Sequence, residues 1–169
     1  EDGFRINSAG FTIVYTDGSC LSNGNSDAKA AIGVYFGPQS PYNITRPLPK
    51  EYSPSNNTAE IVASIEAIKL CRQQSKLRVE IRTDSKFLVH CVTLHMPVWR
   101  KNGWLKTNKK PVSNQFELKQ LDEVLKGLHV RWVHVTAHGE EVGNNYADFL
   151  ARLATFKMMR IDKPDFCYQ

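Results

Sequence analysis

The chain has 169 residues, the length of one ordinary domain, with 41% apolar and 23% charged residues and a net charge of +5 from 22 Lys and Arg against 17 Asp and Glu. That composition excludes a disordered tail, a collagen-like rod and a coiled coil, and no apolar run approaches the roughly 20 residues of a membrane-spanning helix. Cys20, Cys71, Cys91 and Cys167 lie far apart with no C-x-x-C pair, which argues against a disulfide framework or zinc site and makes a reduced, intracellular setting the default.

Residues 1–10 read as a lead or linker. They contain neither a basic nor an apolar leader segment and do not start with Met, as expected of a domain boundary within a longer chain. Phe11 to Thr16 is β-branched and aromatic, so it predicts a strand that stops at the turn signal Asp17-Gly18. Ser19 to Lys29 reads as a loop, Ala30 to Phe36 as a second strand, and Tyr42 to Leu48 as a short edge strand. Helical spacing of Ile61, Val62, Ile65 and Ile68 predicts a helix over 58–72, with Asn57 as N-cap. A strand over 77–83 ends at Asp84, and a helix follows through Phe87, Leu88 and Cys91. Phe116 to Leu128 is a periodic helix, Val130 to Thr136 a strand, and Asn145 to Lys157 a last helix, leaving 158–169 as a tail. The sum is one α/β domain.

The charge is polarised. Between Ser85 and Phe116 there is no Asp or Glu, but Lys86, Arg100, Lys101, Lys106, Lys109 and Lys110 are all present, and Trp99 and Trp104 bracket Arg100-Lys101-Asn102-Gly103. Lysines neutralise phosphates and release counterions while indoles lie against sugars and bases, so this segment is a candidate nucleic-acid surface. Its alternative is a solvated basic loop whose tryptophans pack on the core.

Asp17 and Asp84 each follow a predicted strand, in the local patterns Thr16-Asp17-Gly18 and Thr83-Asp84-Ser85. Open α/β sheets build sites beyond the carboxyl ends of strands, so the two converge if their strands are parallel neighbours. Glu60 and Asp148, near the starts of two helices, are placed to join them. Converging carboxylates repel, and divalent metal is the simplest remedy; hard oxygen ligands suit Mg²⁺ or Mn²⁺. Each acid also has a structural alternative: a turn for Asp17, a helix cap for Asp84, a capping box with Asn57 for Glu60, and a favourable helix-dipole position for Asp148. His138 lies in the connection before the last helix, as a proton shuttle or an ordinary surface histidine.

Tyr15-Thr16-Asp17-Gly18-Ser19-Cys20, Asn56-Asn57-Thr58-Ala59-Glu60, Thr83-Asp84-Ser85, Trp99-Arg100-Lys101-Asn102-Gly103-Trp104 and His138 with Asp148 occur in one order. In that combination the chain resembles the catalytic domain of type 1 ribonuclease H, and most of all its eukaryotic form, over about residues 11–155. The resemblance implies a ribonuclease H-like fold, a central mixed five-stranded sheet flanked by helices, with 11–157 as the catalytic domain. It implies endonucleolytic hydrolysis of the RNA strand of RNA–DNA hybrids by two Mg²⁺ ions, with Mn²⁺ as substitute, leaving 3′-hydroxyl and 5′-phosphate ends. Asp17, Glu60, Asp84 and Asp148 match the metal-binding carboxylates, and His138 matches a histidine assisting proton transfer or product release.

Further matches concern the two strands of a hybrid. Asn23, Asn56, Asn57 and Glu60 match positions facing the RNA strand, and Ser55, Phe87, His95, Trp99, Thr107 and Asn114 positions facing the DNA strand. Arg100, Lys101, Lys106, Lys109 and Lys110 fall in a basic protrusion. The chain departs from the family at His95, which replaces a tryptophan, at Ser53, which replaces an arginine, and at Ala137, which replaces a glycine. Cys20, three residues from Asp17, reads as a buried inert thiol with a redox-sensitive one as its alternative. The implied protein is a monomer that binds a hybrid and no membrane, in the nucleus or mitochondrion if eukaryotic and otherwise in the cytoplasm. Two other functions compete with the nuclease: a catalytically silent hybrid-binding module, and the ribonuclease H domain of a retroelement polyprotein.

Overall fold

A computed structural model describes residues 3–137 and 139–161. Its sheet runs in the order β4-β3-β2-β5-β6, built from β2 (Thr12–Leu21), β3 (Lys29–Tyr35), β4 (Ile44–Pro47), β5 (Arg78–Thr83) and β6 (His129–His134). Pairing is antiparallel across β4-β3-β2 and parallel across β2-β5-β6, so the sheet is mixed as expected. The expected five strands gain a sixth. β1 (Arg5–Ile6) pairs with Thr12 and Ile13, the stretch of β2 that precedes its pairing with β3 at Tyr15. The predicted lead is therefore part of the sheet, and Phe4 stacks on Tyr42 at 4.5 Å to hold it there.

The main correction is to β2. Asp17-Gly18 does not turn; the strand continues to Leu21 because residues 15–21 pair in unbroken register with β3. Gly18 also lets β2 lie against α1 (Asn56–Gln73), since a Cβ there would sit 2.5 Å from the Glu60 backbone nitrogen. Asp17 is thereby a sheet residue pressed against a helix rather than a loop residue.

Helix α1 starts two residues earlier than predicted, and its N-cap is Ser55, whose Oγ accepts from Thr58 N at 3.0 Å, rather than Asn57. It is apolar on most sides because it lies between the sheet and α4 (Gln115–Leu125). Ile61, Val62, Ile65 and Ile68 pack with Val14, Ile32, Val34, Val79 and Ile81 in the main core, joined by Leu118 and Leu121 of α4.

After β5 come α2 (Lys86–His90), a π-helical turn over Cys91–His95, and α3 (Met96–Asn102), which ends on Gly103 in the left-handed region. The last helix, α5 (Val142–Ile161), begins before and ends beyond the predicted 145–157. It covers the opposite sheet face, where Gly33 permits the approach: a Cβ there would collide with the Ala147 carbonyl. The start of α5 is tied to the sheet by the Tyr15 hydroxyl, which donates to Glu141 Oε2 at 2.9 Å and accepts from Arg82 at 3.0 Å. No helix among the described residues is long and apolar enough to cross a membrane.

Candidate active site

The parallel register sets Tyr15 opposite Arg82, which brings Asp17 level with Asp84 one strand away. Glu60, in the second turn of α1, reaches the same point from the helix. One oxygen of each of the three carboxylates lies within 4.8 Å of the others. Their structural alternatives are taken by other residues: Ser85 caps α2, accepting from Leu88 N at 3.2 Å, and Ser55 caps α1.

Asp17 and Glu60 are buried, at 6% and 8% exposure. Burial pushes the Asp17 carboxyl up to about 7; a hydrogen bond from Glu60 tempers the rise and the Asp84 charge adds to it. Burial and then the Asp17 charge raise Glu60 well above the ordinary carboxylate range. Glu60 Oε2 is buried with no hydrogen-bond partner. An oxygen-only donor set, crowded and one lone pair short of partners, fits a hard divalent cation, which would restore Asp17 and Glu60 to their charged forms.

Asp148 stands apart from the other three. It lies on α5, half-buried, and accepts from Arg152 at 3.4 Å, outside the three-carboxylate group although its charge contributes to the rise at Asp17. A residue the sequence did not single out sits between them: Asn144, 1% exposed, donates from Nδ2 to Asp84 Oδ2 at 3.0 Å. Its signal was its place one turn before Asp148 on an otherwise apolar helix face. His138 lies outside the described residues. The segment around it is bounded by Thr136, Gly139, Glu140 and Glu141, which line a recess. Cys20 is half-buried and its thiol is raised by burial, as suits an inert cysteine.

Along one side of the carboxylates, Asn23 Oδ1 accepts from Asn56 N at 3.1 Å, and Asn56 and Asn57 are exposed at the start of α1. Ser55 Oγ donates to Thr58 Oγ1 at 2.8 Å and Asn114 Nδ2 donates to the same oxygen at 3.0 Å, so Ser55 and Asn114 are joined through Thr58. Ser53 is exposed beside them. Farther along, Phe87, His90, Cys91, His95, Trp99, Lys106, Val112 and Ser113 line a groove of about 280 Å³. The His95 ring stacks on Trp99 at 5.2 Å.

The basic segment forms the surface beyond the groove. Trp104 is buried, so one of the two bracketing indoles serves the core. Lys101, Thr107, Lys109 and Lys110 are exposed, and a bridge between Leu105 and Pro111 closes the loop that carries the last three. Lys106 donates to Ser113 Oγ at 2.8 Å. Arg100 is paired with Asp122 of α4, Nε to Oδ1 at 2.7 Å, so its charge is balanced by an acid beyond the basic segment.

The ribonuclease H family model matches residues 10–156. Ribonuclease H1 of Mus musculus is 41% identical over 83% of this chain and 48% of its own length. The ribonuclease H of Caldanaerobacter subterraneus is 34% identical over 82% and 86%. The chain thus spans about half the length of the mammalian relatives and most of the bacterial one. Among solved structures, that of the foamy viral protease-reverse transcriptase in complex with RNA/DNA hybrid superposes with a TM-score of 0.70 at 27% identity, covering 86% of this chain and 20% of the other. With its sheet order, its three converging carboxylates and these matches, the chain belongs to the ribonuclease H family, as a type 1 member.

Proposed function

We propose that this chain hydrolyses the RNA strand of RNA–DNA hybrids endonucleolytically, with two Mg²⁺ ions as cofactors and Mn²⁺ as substitute. The observation that carries this is the group formed by buried Asp17 and Glu60 with half-buried Asp84, with an unpartnered Glu60 oxygen, opening beside a basic, aromatic-lined groove. Support comes from the ribonuclease H1 relatives and from a structural neighbour described in complex with RNA/DNA hybrid. Members of the family use divalent metal ions, and those ions would supply an activated water and a counter-charge for the leaving oxygen.

The chain's own groups do the rest. Asp17, Glu60 and Asp84 hold the ions, with Asp148 as fourth carboxylate, and Asn144 fixes the Asp84 rotamer. Asn23, Asn56 and Asn57 read the 2′-hydroxyl side, which only RNA displays. Ser55 and Asn114, with Thr58 between them, grip a DNA-strand phosphate, and Phe87 and Trp99 lie against deoxyribose where a 2′-hydroxyl would crowd. The water oxygen bonds to phosphorus, the bond to the 3′ oxygen breaks, and a proton returns to that oxygen, giving 3′-hydroxyl and 5′-phosphate ends; His138 assists the proton or product release. The chain acts as a monomer within the cell, in the nucleus or mitochondrion of a eukaryote or else in the cytoplasm, and the catalytic domain extends beyond residues 11–157 to take in β1 and the end of α5.

The test is incubation of a labelled RNA–DNA hybrid, with matched RNA–RNA and DNA–DNA duplexes, in Mg²⁺ and in chelator. Cleavage confined to the RNA of the hybrid and dependent on Mg²⁺ is the expected result. Hybrid binding without cleavage would instead favour the silent binding module, and equal cutting of RNA duplex would refute the substrate assignment.

A further inference from the structure

The groove beside the carboxylates holds two imidazoles, and the backbone explains why. In an α-helix, residues five apart point about 140° away from each other. Between His90, the last residue of α2, and His95, the last of the following turn, the chain is π-helical, with the amide of Met96 bonded to the Cys91 carbonyl five residues back. That wider turn brings positions five apart towards one face, and His90 and His95 both line the groove with Phe87, Trp99 and Lys106. Both histidines are exposed, so neither is committed to the core. The His95 ring is stacked on Trp99, interplanar angle 24°, which holds it at the groove wall.

Among the described residues, no carboxylate lines this groove. Its other ionisable groups are Lys106, which points a charge into it, and Cys91, a buried thiol pushed up to about 11 by desolvation. The Arg100–Asp122 pair, where α3 meets α4, is internally neutral. A phosphodiester laid alongside an imidazole favours its protonated form, because the cation and the phosphate then pair directly.

We propose that His90 and His95 are substrate-contacting residues that bind a nucleic-acid phosphate in their protonated forms, so that the groove grips the DNA strand of a hybrid with proton uptake. His90 thereby joins the binding surface as a residue the sequence motifs do not assign. The replacement of an aromatic ring by His95 exchanges a permanent apolar contact for a conditional ionic one. This rests on the hybrid-nuclease reading above and adds a proton linkage to it.

The experiment measures the affinity of a short labelled RNA–DNA hybrid in chelator, so that no cleavage occurs, at about pH 5.5 and about pH 8. It compares the wild type with the double variants H90Q/H95Q and H90K/H95K. The Asp17 and Glu60 carboxyls are both raised by burial, but they are common to all three proteins, so the differences between proteins isolate the imidazoles. The wild type should gain about tenfold more affinity on acidification than H90Q/H95Q, the equivalent of one pKa unit of linkage. It should also show a salt dependence at the lower pH that is steeper by about one phosphate contact. The two should bind alike at the higher pH, which also shows that the glutamine variant is folded. H90K/H95K should bind tightly at both. Equal pH dependence in wild type and H90Q/H95Q would overturn the proposal while leaving the nuclease reading intact. Absence of hybrid binding by any of the proteins at either pH would overturn both.

Discussion

Asn144 donates its side-chain amide to Asp84 Oδ2 at 3.0 Å from a fully buried position in the first turn of α5. The bond crosses from the helix that covers one sheet face to the end of β5, so the rotamer of a proposed metal ligand depends on how α5 is docked. Partners of this kind are worth about 10- to 100-fold in metal affinity or activity at metal sites. Asn144→Ala should therefore lower kcat by that order and raise the Mg²⁺ concentration needed for half-maximal activity. An unchanged Mg²⁺ requirement with a folded variant would remove Asn144 from the positioning role.

The raised Asp17 carboxyl gives a signed prediction for the metal-free protein. Its pKa is about 7 when folded and near 3.9 when unfolded, so between these values the folded state binds the extra proton. Stability from this group is full below the unfolded pKa and is lost as pH rises through the folded one. Asp17→Asn should be nearly neutral at about pH 4 and stabilising by roughly 1–4 kcal/mol at about pH 8 in chelator, measured by denaturant unfolding. Mg²⁺ should stabilise the wild type at the higher pH and leave the variant almost unaffected. A destabilising effect of Asp17→Asn at high pH would contradict the electrostatics described here.

Gly18 sits where a Cβ would meet the Glu60 nitrogen at 2.5 Å and the Ala59 carbonyl carbon at 2.7 Å. Both neighbours are helix backbone and cannot rotate aside. Gly18→Ala must push α1 from β2, separating Glu60 from Asp17, with a stability loss of about 1–3 kcal/mol from overpacking. Activity should fall further than stability accounts for, as seen by assaying well below the melting temperature. Full activity in a folded Gly18→Ala protein would show that the Asp17–Glu60 contact is dispensable.

The exposed lysines of the basic loop are predicted to act through phosphate contacts. Replacing Lys101, Lys106, Lys109 and Lys110 with Ala should weaken hybrid binding and reduce the slope of log affinity against log salt by about 1–3. Arg100→Ala should change the slope much less, because Arg100 is already paired with Asp122. An equal loss for Arg100 would mean that the ion pair opens on binding.

Much of this site is legible in the sequence, and the misses share a cause. Strands, helices and their order follow from local periodicity, which is why β5, α1 and α4 emerge with small boundary shifts. Asp17-Gly18 was expected to turn because the dipeptide is a turn signal in isolation; the long register with β3 and the approach of α1, both tertiary, override it. Asn57 is as good a cap chemically as Ser55, and only backbone geometry chooses between them. The strand at Arg5–Ile6 is two residues long and has no periodicity to detect. Asn144 and the Arg100–Asp122 pair depend on contacts across 60 and 22 residues of sequence, beyond any local pattern. The three clustered carboxylates are legible because motif order carries long-range information that spacing alone lacks.

The central claim is that the buried carboxylate group is the catalytic centre for hydrolysis of the RNA strand in a hybrid. The most direct measurement compares wild type and Asp84→Asn for cleavage of a labelled RNA–DNA hybrid in Mg²⁺, with hybrid affinity measured on the same preparations. Asp84→Asn removes a ligand charge and almost no volume, and its fold should be unchanged. The account predicts hybrid binding near the wild-type level and cleavage lost by at least about 10³-fold, the scale at which catalytic groups act. Cleavage by Asp84→Asn at the wild-type rate would contradict it.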